Sequence, residues 1–243
     1  MSRTGAPRRG TAPPSGAQLA LRFPLSSRAS FETFEADGNR ELVRRLEALD
    51  EAPHEFRGCF LFGARGVGRS HLLQAACQRH GAAAGAIYLP VASPGMTPAL
   101  LEGLDSRRLV ALDDVETWIG QADAEEALLH LYQGLVAAGG RLLVSASRPA
   151  ARLHFHYADL ASRLRGLPAY QVQPLDDAGK ARVLAGLARD RGLELSAAVV
   201  DFWLARRARD LPGLLEDFER LDGAAMAAQR RITVPLVKQV LGL

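Results

Sequence analysis

Cysteine is scarce: the chain holds two, Cys59 and Cys77, both inside apolar segments. That is too few for a disulfide framework or a thiolate zinc site, and reduced, buried thiols are expected. Long hydrophobic runs are missing as well. No stretch reaches the roughly 18 to 20 apolar residues of a membrane span, and the amino-terminal segment has no apolar core of signal-peptide length, so the cytoplasm is the expected location. The six histidines form no ligand constellation; His154 and His156 flank Phe155 in a loop and are expected at the surface. A surplus of charge is lacking too, once the start of the chain is set aside. Five of the 30 basic residues, Arg3, Arg8, Arg9, Arg22 and Arg28, precede the first acid, Glu32, which leaves 25 bases against 27 acids in the rest. A basic tail on a near-neutral body attracts DNA phosphates weakly and does not read sequence.

What is present is organised. Residues 1–17 are rich in Gly, Pro, Ser and Arg, with almost nothing to bury, and are predicted to be disordered. The apolar cluster QLALRF (18–23) follows at once. It reads either as an edge segment that folds back on the body or as a short docking peptide. The turn ADGN, with Asn39 as cap, introduces a helix on the spacing of Leu42, Val43, Leu46 and Leu49. RGCFLF (57–62), AIYL (86–89), RLVAL (108–112) and RLLVSAS (141–147) are strand candidates separated by helical stretches such as AEEALLHLYQGLVAA. Strands alternating with helices predict an α/β fold with a mostly parallel sheet covered on both faces. After Pro174 the texture changes to four consecutive helices, with Asp176, Ser196 and Thr233 as N-caps and Gly192 closing the first. The expected organisation is a tail over 1–24, an α/β core over 25–173 and a small all-α lid over 174–243.

GARGVGRS (63–70) lies between a strand and a helix, the context a phosphate-binding loop requires. Gly63, Gly66 and Gly68 let backbone N–H groups approach phosphate oxygens, and the following helix presents its positive end. Ser70 has the hydroxyl for Mg²⁺. Arg69 stands where such loops carry lysine; it keeps the charge but is a planar fork rather than a compact ammonium. The apolar strand ending in ALDDVE supplies two acids, Asp113 to hold Mg²⁺ or its water and Asp114 to polarise a water. In DLASRL (159–164), Arg163 follows a short helix, from which an arginine can reach a neighbour's γ-phosphate.

On SFETFEADGN, GVGRSHLLQAAC, ALDDVE, SRPAARL, DLASRL, QPLDDAGKARVL and RRITVPLVKQVL, the chain over about 18–243 resembles the Hda family, AAA+ regulators related to the bacterial initiator DnaA. The resemblance implies an AAA+ core with a five-stranded parallel sheet and a helical lid. It implies a nucleotide site from Gly63, Gly66, Gly68, Arg69, Ser70, Asp113 and Asp114, with Asn39 and Ser147 at its margin, for ADP or ATP and Mg²⁺. Arg163 becomes an arginine finger that completes the ATPase site of DnaA, and Gln18, Leu19, Leu21 and Phe23 become the peptide that docks on the DNA polymerase sliding clamp. A negative regulator of replication initiation is the expected function, with DNA contacted weakly or indirectly and a homodimer as one form. Three departures bear on the chain's own site. Pro212 replaces the lid arginine, with Arg209 as nearest substitute; Ser147 replaces an aspartate after the fourth strand; and Arg69 replaces lysine. Weak or absent hydrolysis in its own loop is therefore expected, with an autonomous ATPase and a DNA-binding module as the competing readings. The sequence runs to Leu243 at the fourth lid helix, so the helix-turn-helix domain that follows the lid in DnaA is not expected.

Overall fold

The computed structural model describes residues 29–51, 57–81, 85–207, 210–228 and 231–243. The expected tail and the 18–23 segment lie outside them, as does Arg209.

Five short strands form one parallel sheet: β1 (Gly58–Phe62), β2 (Ala86–Pro90), β3 (Leu109–Asp113), β4 (Arg141–Ala146) and β5 (Ala169–Gln171), in the order β2-β3-β4-β1-β5. Parallel pairing needs a crossover between strands, and the helices that provide it cover both faces. Alternate side chains therefore enter two separate cores. On one face Cys59, Leu61, Ala111 and Leu143 pack against Leu42 and Leu46 of α1 (Arg40–Glu47) and Leu72, Leu73 and Ala76 of α2 (Arg69–His80). On the other, Phe60, Val110, Leu112 and Val144 meet Leu128, Leu131 and Leu135 of α3 (Ala122–Ala137) and Leu160 and Leu164 of α4 (Ala158–Arg165). Each fully buried Leu or Phe contributes about 1.5–3 kcal/mol.

Two strand expectations are corrected. The third strand lies one residue later than RLVAL, so that Asp113 is its last residue rather than part of the following turn. The fifth strand, AYQ, pairs with β1 through three residues only.

A third core belongs to the helices that follow, α5 (Asp177–Asp190), α6 (Ala197–Leu204), α7 (Leu211–Ala228) and α8 (Val234–Leu241), and centres on Trp203, Phe218, Leu184, Leu214, Leu221 and Val237. Their ends follow the sequence. Asp176 accepts the Gly179 amide at 2.7 Å, Ser196 that of Val199 at 3.4 Å and Thr233 that of Leu236 at 3.5 Å. Gly192, at φ +68°, turns the chain out of α5. Inside this domain Asp217 is buried and accepts from Arg207 Nε at 2.6 Å and Nη2 at 2.8 Å and from the Trp203 indole at 3.4 Å. The lid meets the core through Arg182, which pairs with Glu35 at 2.9 Å and with Asp37. Among the described residues no helix is long and apolar enough to cross a membrane, and no group of histidine, cysteine and carboxylate side chains is placed to hold a metal.

Candidate nucleotide and partner site

In an open parallel sheet, ligands gather at the carboxyl ends of the strands. Here that edge collects the loop after β1, Asp113 and Asp114 at the end of β3, and Ser145 near the end of β4. α2 begins at Arg69, so its amino terminus faces the same edge. No backbone carbonyl among the described residues accepts from the amides of residues 65–70, which leaves those donors for an anion. Gly66 and Gly68 have positive φ, +82° and +101°. Both also lack room for a side chain. A Cβ on Gly66 would run into the Pro212 ring of the lid, and one on Gly68 would lie 2.7 Å from the Phe34 ring. Phe34 is held there by His71, whose ring it meets at 5.4 Å, while His71 Nε2 bonds the Ser30 carbonyl at 2.8 Å.

Arg69 is buried, with Nη2 2.8 Å from Asp114 Oδ1, while its Nη1 has no partner among the described residues. Asp114 is the one non-glycine residue at positive φ among them, at +57°, a conformation costing on the order of 1 kcal/mol. Its amide donates to Ser145 Oγ at 3.0 Å, and its carboxylate turns back toward Arg69. Burial and the neighbouring Asp113 raise the Asp114 pKa, against the opposing pull of Arg69.

Asp113 is sealed. Tyr88 donates to its Oδ2 at 2.8 Å and Ser145 to its Oδ1, and its residual exposure is 3%. Burial and the adjacent carboxylate raise the pKa of the Tyr88 phenol, opposed by the nearby Gln74 and Ser70. The two halves of the site thus differ in fit. Free amides, an orphaned Nη1 and two side-chain-free glycines suit a phosphate. The acids suit a divalent cation less well: Asp113 is closed by two hydroxyls, and the charge of Asp114 is offset by Arg69.

Two margin residues behave differently from expectation. Asn39 stands at the start of α1 but makes no side-chain cap. Its Oδ1 accepts the Gln173 amide at 2.8 Å and its Nδ2 donates to the Gln173 carbonyl at 3.0 Å, so it is a strut between the segment before α1 and the exit of β5. Both polar ends are spent on protein. Ser147 falls beyond the end of β4 and is exposed; its amide donates to Glu116 at 2.7 Å, and it is Ser145 that meets Asp113. Ser145 and Tyr88 were missed because a strand serine and a strand tyrosine look like ordinary strand residues until cross-strand neighbours are known.

Arg163 lies in the last turn of α4 rather than after it. Its Nε is 3.1 Å from Asp159, its guanidinium lies 5.6 Å from the centre of the Tyr132 ring, and its side chain is 37% exposed. The loop before α4 is fixed from below. Glu125 of α3, fully buried, accepts the Gly120 amide at 2.6 Å, that of His156 at 2.9 Å and that of Tyr157 at 2.8 Å.

With this geometry in place, the comparisons with known proteins become specific. The Hda lid-domain family matches residues 177–241. That match spans the four carboxyl-terminal helices. Domain III of the Thermotoga maritima replication initiation protein DnaA superposes with a TM-score of 0.78 at 18% identity, over 90% of this chain and 98% of that one. AMPPCP-bound DnaA from Aquifex aeolicus gives 0.65 at 23% identity, over 79% of this chain and 65% of that longer one, and a Thermotoga maritima RuvB mutant gives 0.66 at 15% identity, over 88% and 71%. The fold is that of a DnaA-like AAA+ module: a parallel five-stranded α/β core followed by a helical lid.

Proposed function

We propose that this chain is a negative regulator of chromosome replication initiation that acts on DnaA from the DNA polymerase sliding clamp. Gln18, Leu19, Leu21 and Phe23 dock on the clamp: a glutamine amide anchors one end while alternating apolar side chains enter a groove. Arg163 then enters the ATP site of an adjoining DnaA and offsets charge on the triphosphate during hydrolysis, a contribution worth roughly 10³ to 10⁵ in rate. The chemistry takes place in the partner's pocket.

The observation that carries this reading is the setting of Arg163. Its side chain is more than one-third exposed, with Asp159 and Tyr132 as its neighbours. The helix that carries it is anchored by the buried Glu125. The Hda lid and the DnaA-like core are in keeping with a partner of the same build. In its own loop the chain holds a nucleoside diphosphate, ADP, as a structural ligand. Pro212 against Gly66 gives the lid an apolar contact with the phosphate loop where a lid cation would read the terminal phosphate.

The test is hydrolysis of DnaA-bound ATP in the presence of DNA-loaded clamp. Wild-type chain accelerates it. Arg163→Ala removes the acceleration and keeps clamp binding, whereas the triple replacement of Gln18, Leu19 and Leu21 by Ala removes both. Undiminished acceleration by Arg163→Ala refutes the finger assignment. Phosphate release by the isolated chain, indifferent to clamp and DnaA, supports an autonomous ATPase instead, and loss of all function on deleting residues 1–17 supports a DNA-binding module.

A further inference from the structure

The phenol of Tyr88 stands between the two side chains that a phosphate-loop protein uses to place its divalent cation. It donates to Asp113 at 2.8 Å, and Ser70 is near enough to oppose the rise in its pKa. Magnesium keeps an octahedral shell, gives up water reluctantly and relies on nearby carboxylates with free lone pairs. Asp113 is closed in: Tyr88 covers one oxygen, Ser145 the other, and only 3% of the residue reaches solvent. Asp114 has its charge offset by Arg69 at 2.8 Å, with its side chain 37% exposed. The donors left over, the amides of residues 65–70 and the orphaned Nη1 of Arg69, all suit phosphate oxygens.

We propose that Tyr88 stands in for the magnesium ion, so that this chain binds its nucleoside diphosphate without a divalent cation. The hydroxyl does by neutral hydrogen bonding part of what the ion does by charge: it covers the Asp113 oxygen that faces the loop's end of the site. Arg69 and the start of α2 supply the positive charge that the diphosphate requires. This rests on the reading that the loop holds a nucleotide, and it adds a residue and a cation requirement to that reading.

A fluorescent ADP analogue titrated into the full chain, in EDTA and in excess Mg²⁺, tests it. Wild type is expected to bind equally in both buffers. Tyr88→Phe removes the hydroxyl, frees Asp113 Oδ2 and opens space beside it. Binding by the variant then tightens on adding Mg²⁺ by about tenfold, the size of one charge-assisted hydrogen bond. Thermal melts of both proteins establish that the variant is folded, and Tyr88→Leu serves as a second cavity-forming change if the first melts early. Wild-type binding that Mg²⁺ tightens tenfold overturns the proposal, and so does a folded variant as indifferent to Mg²⁺ as wild type. Absence of binding in both buffers by both proteins overturns instead the nucleotide reading beneath it, leaving the Arg163 assignment to its own test.

Discussion

Replacing Glu125 by Gln keeps the size of a fully buried side chain and changes one oxygen into an NH₂ group. The wild-type carboxylate accepts three backbone amides, Gly120 and His156 on Oε1 and Tyr157 on Oε2, at 2.6, 2.9 and 2.8 Å. With the amide oxygen kept toward Gly120 and His156, the new NH₂ faces the Tyr157 N–H, donor against donor. An unsatisfied buried donor costs about 1–3 kcal/mol, and hydrogen bonds to a charged acceptor, worth about 1.5–3 kcal/mol each, drop to about 1 kcal/mol when the acceptor is neutral. The losses add to about 3–4 kcal/mol on a loop that ends where α4 begins: the Tyr157 carbonyl accepts the Ala161 amide at 3.1 Å. At about 1.4 kcal/mol per decade, native-state hydrogen exchange at Tyr157 and His156 accelerates by roughly 10² or more. The assay is residue-resolved amide exchange, read beside stimulation of DnaA-bound ATP hydrolysis, which falls because Arg163 loses its fixed platform. Unchanged exchange at both amides refutes the anchoring argument, whatever happens to stimulation.

Two further outcomes follow from buried polar groups in the core and the lid. Burial lowers the pKa of His71, opposed by the Ser30 carbonyl, and that of His80, opposed by Asp50. The unfolded chain therefore binds more protons below its own pKa of about 6.5, so the stability from these neutral rings is complete above that pH and is lost as pH falls below it. Thermal midpoints that stay level from about pH 8 to 7 and drop toward pH 5.5, less steeply in His71→Gln, check this; a midpoint rising on acidification contradicts it. In the lid, Asp217→Ala strands Arg207 and the Trp203 indole and should cost about 3 kcal/mol. The measurement is the lid's helical circular-dichroism melt, with an unaltered transition as the opposing result.

Local chemistry made much of the molecule readable. GARGVGRS announced itself because a strand, three glycines and a helix start must be contiguous, and the lid helices because Asp176, Ser196, Thr233 and Gly192 act within one turn of themselves. What escaped depends on neighbours far along the chain. AYQ is too short to show a period, and its strand exists only through pairing with Phe60–Phe62. Glu125 sits among charged neighbours in AEEALL and looks like a solvated acid; only folding brings the amides at 156 and 157 onto it. Asn39 resembles a helix cap because its real partner is 134 positions away. Tyr88, Asp113 and Ser145 converge from three strands, and no spacing in sequence encodes that meeting.

Arg182 has its own consequence for motion. Its two carboxylate partners, Glu35 and Asp37, belong to the same short run of chain that presents Phe34 to the phosphate loop. All three charges are wet, so counter-ions compete for them. The lid is therefore latched rather than welded to the strap beneath it: added salt slackens the latch, and whatever tugs on that strap tilts the four-helix cap with it.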